Sequence, residues 1–459
     1  MLRGATGWQY RPFLPEIRAD EKHRPYICRL APFETGVEVE VLGEAGALYI
    51  REKDTQNPWR EIPMAGPAAV IDNLLPDTEY ELRAGSGRLR YVRTGFYPDR
   101  VVNYLHPRDG NYAFSGQYLC SPTLARVPSG AIIAGMDVYE SGGPQNLTLL
   151  FRSEDGGATW RYLCDLYPAY WGALFTHRGA LYLLGTSTEH GHVLIGASYD
   201  EGATWTKPVL LFPGGCGKRS CGWQRQPMPV IAHGGNIVTS IDYGSWASPT
   251  KYGIATLFAR ADAGLLDPAS WTVSDITYYD KDWPGAPAGG GVTLLEGSVY
   301  PAADGRLVNL LRMEMHSAVP SHGKACLLEL DPDNLAAAPK FLKIIDMPTG
   351  ANSRTHVLRD PVGGKYWGIG NLVTDPATPR MRSVMALTVS DDGYDWRTAK
   401  ILLDYSHLDP REVGFQYTSF IFGGEDILYL SRTAFHGANS FHDANCQTFG
   451  AVRGFRDLA

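Results

Sequence analysis

The chain has 459 residues, of which 44% are hydrophobic and 20% are charged, and its formal net charge at pH 7 is −7. This composition is typical of a folded protein and excludes an intrinsically disordered chain. The net negative charge, with no long basic run, argues against nucleic acid or an anionic membrane surface as the main partner. No stretch of about 18 apolar residues occurs, so we expect no membrane-spanning helix.

Residues 1–25 form an N-terminal extension without the apolar run of a secretion signal. We therefore expect a cytoplasmic protein, or a secreted one from which the signal has been removed. The chain has seven scattered cysteines, and this odd number favours buried thiols in a reducing compartment over a disulfide framework. Cys216 and Cys221 could pair or bind a metal, but no second pair stands near them, and we expect no metal and no cofactor.

Residues 26–96 predict a small, separate β-sandwich, because short alternating strand-like runs are divided there by turn residues. Within this segment, the stretch LLPDTEYELRA at 74–84 places a Leu-Pro turn before a strand that carries a tyrosine. The pattern resembles the fibronectin type III family, and we expect Trp59 to fill the core of the sandwich. The segment that follows, residues 97–112, is interpreted as a linker.

From about residue 113 to the end, strand pairs with tight turns follow one another, and no long segment has helical periodicity. The stretch SEDGGATW at 153–160 returns as SYDEGATW at 198–205 and, in weaker form, as SDDGYDW at 390–396. In this pattern the aspartate accepts N–H bonds inside its turn, the glycine takes a conformation that other residues avoid, and the tryptophan packs between sheets. A turn repeated in this way predicts a β-propeller, and the length allows six or seven blades.

The repeated turn is known as the Asp-box, and it makes the chain resemble the sialidase superfamily of β-propellers. The predicted fold class is therefore all-β: a six-bladed, or else seven-bladed, sialidase-like β-propeller over residues 97–459, preceded by the fibronectin type III-like β-sandwich. The Asp-box also occurs in non-enzymatic propellers, so it indicates the fold and says little about function.

Three further segments resemble sialidases and imply site residues. Residues 294–312 place Glu296 at the start of one strand and Arg312 at the end of the next, with an Asp-Gly turn between them. A later segment that leads into the third repeated turn supplies another arginine, for which Arg382 is preferred and Arg380 is the alternative.

The third segment, VGFQYTSF, places Tyr417 where sialidases keep a nucleophilic tyrosine. A phenol with a pKa near 10 is a poor nucleophile at neutral pH. The resemblance implies that Glu296 takes the phenol proton and that the arginines bind a substrate carboxylate through paired N–H bonds.

Two departures from the sialidase pattern leave the sugar open. The family supplies a first arginine from an Arg-Ile-Pro element, but the equivalent stretch here puts Cys120 at that place. The family also carries an acid/base aspartate in the loop after the first strand, whereas the loop 140–146 contains none. Asp137 is the nearest carboxylic acid and is predicted to act from a shifted position. Because one missing arginine removes a charge-assisted contact worth about 1.5–3 kcal/mol, a uronate or another acidic or neutral sugar is as compatible as sialic acid.

Four more polar residues are predicted to bind substrate at the propeller axis, where the innermost strands converge. They are Arg225, Arg432, His190 and His442. The competing interpretation for each of them is structural, since buried polar side chains in propellers often pair within the fold.

The favoured hypothesis is an exo-acting glycoside hydrolase that cleaves a terminal, acidic sugar from a glycan with the Tyr417–Glu296 pair. One alternative is a polysaccharide lyase that acts next to a uronate, with a histidine or tyrosine base and arginines that neutralise the carboxylate. The other alternative is a carbohydrate-binding propeller without turnover. All three make a glycan the partner, and none of them requires nucleic acid or a membrane.

Overall fold

The computed structural model describes residues 11–12, 25–109, 116–217, 220–248, 251–287, 291–315, 322–350 and 353–459. The predicted N-terminal extension lies almost wholly outside these ranges. Within them, the helical elements are two short 3-10 turns, Pro268–Ser270 and Phe455–Leu458, and the rest of the regular structure is β. No helix in this described part of the chain is long and apolar enough to cross a membrane.

Seven strands build an N-terminal module. They are β2 (Tyr26–Phe33), β3 (Gly36–Leu42), β4 (Ala47–Glu52), β5 (Arg60–Pro63), β6 (Ala68–Ile71), β7 (Glu79–Ala84) and β8 (Arg90–Arg93). One sheet has the order β2-β3-β6, and the other has the order β5-β4-β7-β8. Buried aliphatic residues of both sheets, among them Val39, Leu48 and Leu82, belong to one core. The segment is thus a two-sheet β-sandwich, and its likeness to fibronectin type III stays a prediction.

Trp59 does not fill the core of this module, contrary to the expectation. Its ring is half-buried beside outward-facing residues of the second sheet, with the Cζ atoms of Arg51 and Arg83 at 4.5 and 5.4 Å from the ring. Guanidinium groups are attracted to the face of an indole ring. The alternation of the strands turns Leu48 inward and Arg51 outward, so the tryptophan packs with the arginines outside the core.

Six further sheets form the blades of a propeller. Blade 1 contains β10 (Tyr118–Arg126), β11 (Ile132–Tyr139), β12 (Thr148–Ser153) and β13 (Arg161–Tyr167), with β1 (Arg11–Pro12) on its edge. Blade 2 contains β14 (Tyr170–His177), β15 (Ala180–Thr186), β16 (Val193–Ser198) and β17 (Val209–Phe212). Blade 3 contains β18 (Gly222–Gln224), β19 (Ile231–His233), β20 (Asn236–Gly244), β21 (Tyr252–Arg260) and β22 (Trp271–Val273). Blade 4 contains β23 (Val292–Pro301), β24 (Leu307–Met315), β25 (Lys324–Leu330) and β26 (Lys340–Asp346).

Blade 5 contains β27 (His356–Arg359), β28 (Tyr366–Asn371), β29 (Val384–Ser390) and β30 (Arg397–Asp404); blade 6 contains β31 (Gly414–Gly423), β32 (Asp426–Ala434), β33 (Cys446–Val452) and β9 (Arg100–Tyr104). The chain begins each blade at the centre and adds strands outward. A central cavity is accordingly lined by residues from five blades, namely Thr123, Thr176, Met228, His356 and Ser419.

The outer strand of blade 6 comes from the opposite end of the propeller sequence. Strand β9 pairs antiparallel with β33, so the interpretation of residues 97–112 as a linker is wrong for residues 100–104. Three residues of this strand, Val101, Val102 and Tyr104, are buried. The strand escapes detection because its partner lies near the end of the chain, and no neighbouring segment forms a hairpin with it.

The three repeated turns each join the third and fourth strands of a blade. In the first copy, the Asp155 carboxylate accepts the backbone N–H of Thr159 at 2.9 Å, and the second copy repeats this contact at 2.8 Å. The Trp160 ring packs edge-on against Phe449 of blade 6, with ring centroids 5.2 Å apart. The predicted chemistry of the turn is confirmed: the aspartate closes the turn, and the tryptophan packs against the next blade.

Replacement of Gly157 by alanine is expected to destabilise blade 1 more than replacement of its neighbour Gly156. Both glycines have positive φ, +98° and +75°, so alanine pays about 1–2 kcal/mol of backbone strain at either position. A Cβ at Gly157 would also overlap the ring of Phe449, whereas a Cβ at Gly156 meets nothing within 4 Å. The overlap adds about 1–3 kcal/mol, and chemical denaturation of the two variants measures the difference. Equal losses would contradict this packing of the turn.

Candidate active site

The inner strands of blades 1, 2, 4 and 6 carry a β-bulge at equivalent positions. One residue in each bulge has a left-handed backbone: Ser121 (φ 53°), Trp171 (φ 50°), Glu296 (φ 59°) and Tyr417 (φ 52°). This conformation is unfavourable for residues with a Cβ, and bulges commonly redirect side chains near functional sites. Two predicted catalytic residues, Glu296 and Tyr417, therefore occupy equivalent strained positions in blades 4 and 6.

Arg312 joins Glu296 and Tyr417 at a single atom. Its Nη1 donates to Oε2 of Glu296 at 2.8 Å and to the phenolic oxygen of Tyr417 at 2.9 Å. The residues are buried, with exposures of 8% for Arg312, 2% for Glu296 and 6% for Tyr417. Burial by itself would lower the pKa of Arg312, but the neighbouring Glu314, Tyr417 and Glu296 raise this pKa well above its usual value. The arginine is thus a fixed cation between a carboxylate and a phenol.

A second buried carboxylate, Glu314, extends this chain of charges. It pairs with Nη2 of Arg312 through one oxygen and with Arg380 through the other, at 2.6 Å. Burial raises the pKa of Glu314, but the charges of Arg312 and Arg380 outweigh it and hold the pKa below its usual range. The sequence analysis missed Glu314, although residues i and i+2 of a strand share a face, which would have placed it beside Arg312.

Two more guanidinium groups face the ring of Tyr417. The Cζ atom of Arg382 lies 5.1 Å from the ring centroid, and that of Arg432 lies 5.4 Å from it. Arg382 donates a hydrogen bond to Gln416, the residue before the tyrosine. Together with Arg312, three arginines surround one phenol, although they come from three different blades.

His442 lies beside Arg432, on the side of Tyr139. Its Nδ1 lies 3.3 Å from Nη2 of Arg432 and 3.0 Å from Oδ1 of Asp443. The imidazole ring packs edge-on against Tyr139, with centroids 5.4 Å apart. Burial, followed by the charge of Arg432, lowers the pKa of His442 to about 4, so the ring is neutral at neutral pH. The predicted residues Arg432 and His442 therefore lie together, and Arg432 faces the ring of Tyr417.

Asp137 lies on β11, opposite Cys120 in the ladder of blade 1. The Thr148 hydroxyl donates to its Oδ1 at 2.6 Å, and the backbone N–H of Trp171 donates to its Oδ2 at 2.7 Å. Burial raises the pKa of Asp137 to about 7, although these hydrogen bonds oppose the rise. A carboxyl group with this pKa can give up a proton near neutral pH, as a general acid must.

The free energy of unfolding of Asp137→Asn, relative to that of wild type, is expected to increase as pH rises from about 4 to about 7. In this window the unfolded carboxyl is ionised while the buried one keeps its proton, so wild-type stability falls with pH. The rise from 3.8 to about 7 corresponds to roughly 4 kcal/mol. Denaturation of wild type and variant at pH 4.5 and 8 measures this change, and a pH-independent difference would contradict it. Asp155→Asn is the control, since the pKa of Asp155 is held at about 2 and no change is expected in this window.

Two predicted substrate-binding residues lie in the interior. Arg225 is fully buried, and its guanidinium donates to the carbonyl of Leu184 at 3.1 Å and to the Thr239 hydroxyl at 2.8 Å. These contacts account for the terminal nitrogens of Arg225 within the fold, and its role as a sugar ligand stays a prediction. His190 is also fully buried, with Nε2 at 2.7 Å from the phenolic oxygen of Tyr252, and its role as a substrate ligand stays a prediction.

The cysteines and acidic residues of the described chain do not form a metal site. No group of three or more His, Cys, Asp or Glu side chains in this part of the chain is placed to hold a metal ion. All seven cysteines are free, and Cys216 and Cys221 are exposed and unlinked.

The chain is similar to solved structures of β-propellers at low sequence identity. An α-L-arabinanase of Penicillium chrysogenum complexed with arabinobiose has 15% identity and a TM-score of 0.53, covering 79% of this chain and 99% of its own. A variant α-L-arabinofuranosidase of Fusarium graminearum, complexed with an iminosugar inhibitor, has 13% identity and a TM-score of 0.53, covering 78% and 98%. A Hadza microbial sialidase has 13% identity and a TM-score of 0.48, covering 94% of both chains.

No protein-family model matches the chain, and no curated protein matches it. At the identities found, the likeness to the arabinanase and the arabinofuranosidase establishes the fold alone. The protein is thus an all-β protein with a β-propeller fold, as the repeated turns predict. The fibronectin type III resemblance of the N-terminal module and the Asp-box name of the turns stay predictions.

Proposed function

We propose that the protein is an exo-acting glycoside hydrolase that removes a terminal acidic sugar from a glycan. The observation that carries the proposal is the meeting of Tyr417 and Glu296 at Nη1 of Arg312, with contacts of 2.9 and 2.8 Å. Two similar propellers are described as an arabinanase and an arabinofuranosidase, and one of them holds arabinobiose. These descriptions support a glycan as the substrate.

The chemistry proceeds in two displacements. Tyr417 attacks the anomeric carbon while Glu296 accepts the phenol proton, and the glycosidic oxygen leaves with the proton of Asp137. A water molecule then attacks the same carbon, gives its proton to the Asp137 carboxylate and releases the phenol, which regains a proton from Glu296. A neutral nucleophile avoids the repulsion between a carboxylate and an anionic sugar, and sialidases use a tyrosine in this way.

The preference for an acidic sugar is supported by the cations around the phenol. Arg382 and Arg432 lie within 5.4 Å of the ring of Tyr417, from two different blades. We assign the substrate carboxylate to these two arginines, because both guanidinium groups face the ring of the proposed nucleophile. Charge-assisted hydrogen bonds from such groups discriminate strongly between acidic and neutral sugars.

A panel of 4-methylumbelliferyl glycosides tests the proposal, with sialic acid, glucuronic acid and α-L-arabinofuranose as the sugars. We expect fluorescence from an acidic member, and a released sugar whose mass includes one added water. A polyuronate oligosaccharide is assayed beside the panel, because a lyase expels the group on C4 of a uronate and leaves the anomeric bond intact; an unsaturated product without added water from it would favour the lyase. Binding without any product would favour a carbohydrate-binding propeller, and cleavage of only the arabinofuranoside would overturn the preference for an acidic sugar.

A further inference from the structure

The two strained bulges of the candidate active site are each held by a buried residue of another blade. Glu296 and Tyr417 have φ values of 59° and 52°, and neither is a glycine. A backbone in this region persists only where surrounding contacts determine it. The contacts that hold these two residues are therefore part of what aims their side chains.

The bulge at Glu296 is held from blade 3. The backbone N–H of Glu296 donates to Oδ2 of Asp242 at 2.8 Å, and Asp242 is fully buried on β20. Burial, and then the nearby Glu296, raise the pKa of Asp242 well above its usual value. The same device occurs between blades 1 and 2, where Asp137 accepts the N–H of the bulge residue Trp171 at 2.7 Å. Its recurrence indicates that a carboxyl on the second strand serves to hold the bulge of the next blade.

The bulge at Tyr417 is held from blade 5. Nη2 of Arg354 donates to the carbonyl of Tyr417 at 3.1 Å and to that of Thr418 at 2.9 Å. Nη1 of the same guanidinium donates to the carbonyl of Pro227 in blade 3. Arg354 is fully buried, and its one side chain connects blades 3, 5 and 6 through backbone carbonyls.

Asp242 and Arg354, which hold the two bulges, both act electrostatically on the buried Arg225. Burial and the charge of Arg354 lower the pKa of Arg225 to about 9, although Asp242 opposes the fall. Burial likewise lowers the pKa of Arg354 to about 10, while Glu296 and Tyr417 oppose this. Asp242 and Arg354 are therefore both close enough to Arg225 to change its pKa.

We propose that Asp242 and Arg354 are positioning residues that keep Glu296 and Tyr417 in their left-handed conformations, so that both side chains reach Arg312. The inference rests on the proposed function for its kinetic part, and on geometry alone for its structural part. A displacement of about 1 Å between reacting groups can cost about a hundredfold in rate without weakening substrate binding. Loss of either contact should therefore lower kcat and leave KM nearly unchanged.

Matched variants test the proposal. Asp242→Ala removes the acceptor for the Glu296 N–H, and Asp242→Asn keeps an oxygen there. Arg354→Lys keeps the charge but loses the planar fork that reaches several carbonyls. The controls are Asp109→Ala and Arg90→Lys, because Asp109 accepts the N–H of Tyr91 at 2.7 Å and Arg90 donates to the carbonyl of Ile27 at 2.8 Å, both outside the site.

The kinetic assay uses the 4-methylumbelliferyl glycoside that the wild type cleaves fastest. We expect Asp242→Ala and Arg354→Lys to lower kcat by at least about tenfold with KM within about threefold, and Asp242→Asn to stay within about threefold of wild type. Both controls should lower Tm without changing kcat by more than about twofold. Unchanged kcat in folded Asp242→Ala and Arg354→Lys would overturn the proposal, as would an equal fall in the controls at a similar loss of Tm. If Asp242→Ala does not fold, Arg354→Lys decides.

Crystal structures of the same variants give a readout that does not depend on activity. In Asp242→Ala we expect Glu296 to leave the left-handed region and its carboxylate to separate from Arg312, and in Arg354→Lys we expect the same of Tyr417. Preservation of both contacts, at 2.8 and 2.9 Å, would overturn the inference. If the wild type cleaves no glycoside, the proposed function fails, while these structures still decide whether the two residues hold the bulges.

Discussion

Replacement of Tyr417 by phenylalanine is expected to lower kcat on the cognate glycoside by at least about a thousandfold. The substitution removes only the phenolic oxygen, which is the proposed nucleophile and lies 2.9 Å from Nη1 of Arg312. The ring that faces Arg382 and Arg432 is kept, so the site keeps its shape. Steady-state kinetics with the fluorogenic glycoside measure the loss, and KM should change far less than kcat.

The control for this substitution is Tyr300→Phe. Tyr300 is buried in blade 4, and its hydroxyl donates to the carbonyl of Gly393 at 2.8 Å. Loss of that hydrogen bond should cost about 1 kcal/mol of stability and no activity. If Tyr417→Phe turned over at the rate of Tyr300→Phe, Tyr417 would not be the nucleophile, and the double-displacement chemistry would have to be abandoned.

Replacement of Arg312 by methionine is expected to cost about 3–5 kcal/mol of stability at pH 7 and to abolish turnover. The side chains of Glu296 and Glu314 are each 2% exposed and would remain in the interior without their shared cation. Uncompensated buried charge is among the most destabilising of changes. Denaturation in urea, with circular dichroism as the signal, measures the loss.

The cost of this substitution should shrink at low pH. Arg312 and Arg380 hold the pKa of Glu314 below its usual value, so this ion pair contributes stability above the unfolded pKa of about 4.3 and loses it as pH falls. At pH 4 the variant can protonate Glu314, and the difference in stability from wild type narrows. Arg260→Met is the control, because both members of its pair with Asp262 are exposed, and we expect little change in stability at either pH. A gap that is equal at pH 4 and pH 7 would refute this account.

The propeller was predictable because the hydrogen bonds that form its repeated turn join residues close together in the sequence. Asp155 finds its hydrogen-bond partners within four residues, so eight letters of sequence carry the geometry wherever they occur. Glu314 was equally accessible in principle, since strand alternation places it on the face of Arg312. The strand at residues 100–104 was not, because only the closed ring brings β33 beside it.

The candidate site divides in the same way. The types and order of Glu296, Arg312, Arg382 and Tyr417 follow from the resemblance to sialidases. Arg225 was suggested by a polar stretch rather than by a motif, and only the structure shows that its guanidinium is buried against the Leu184 carbonyl and the Thr239 hydroxyl. Arg432 belongs to no motif, and it lies against the phenol because β32 pairs with β31 in blade 6, where Arg432 is opposite Gln416.

The amino-acid sequence by itself determined that this protein is all-β, that its turns repeat, and which residue types carry the proposed chemistry, because each of these properties depends on neighbours within one turn or one strand. The tertiary structure alone decided which side chains meet at Arg312, which ones are buried beneath them, and which bulges hold Glu296 and Tyr417 in left-handed backbone. These properties depend on contacts between blades, such as Asp242 with Glu296 and Arg354 with Tyr417, whose partners are far apart in the chain and are joined only when the ring of blades closes.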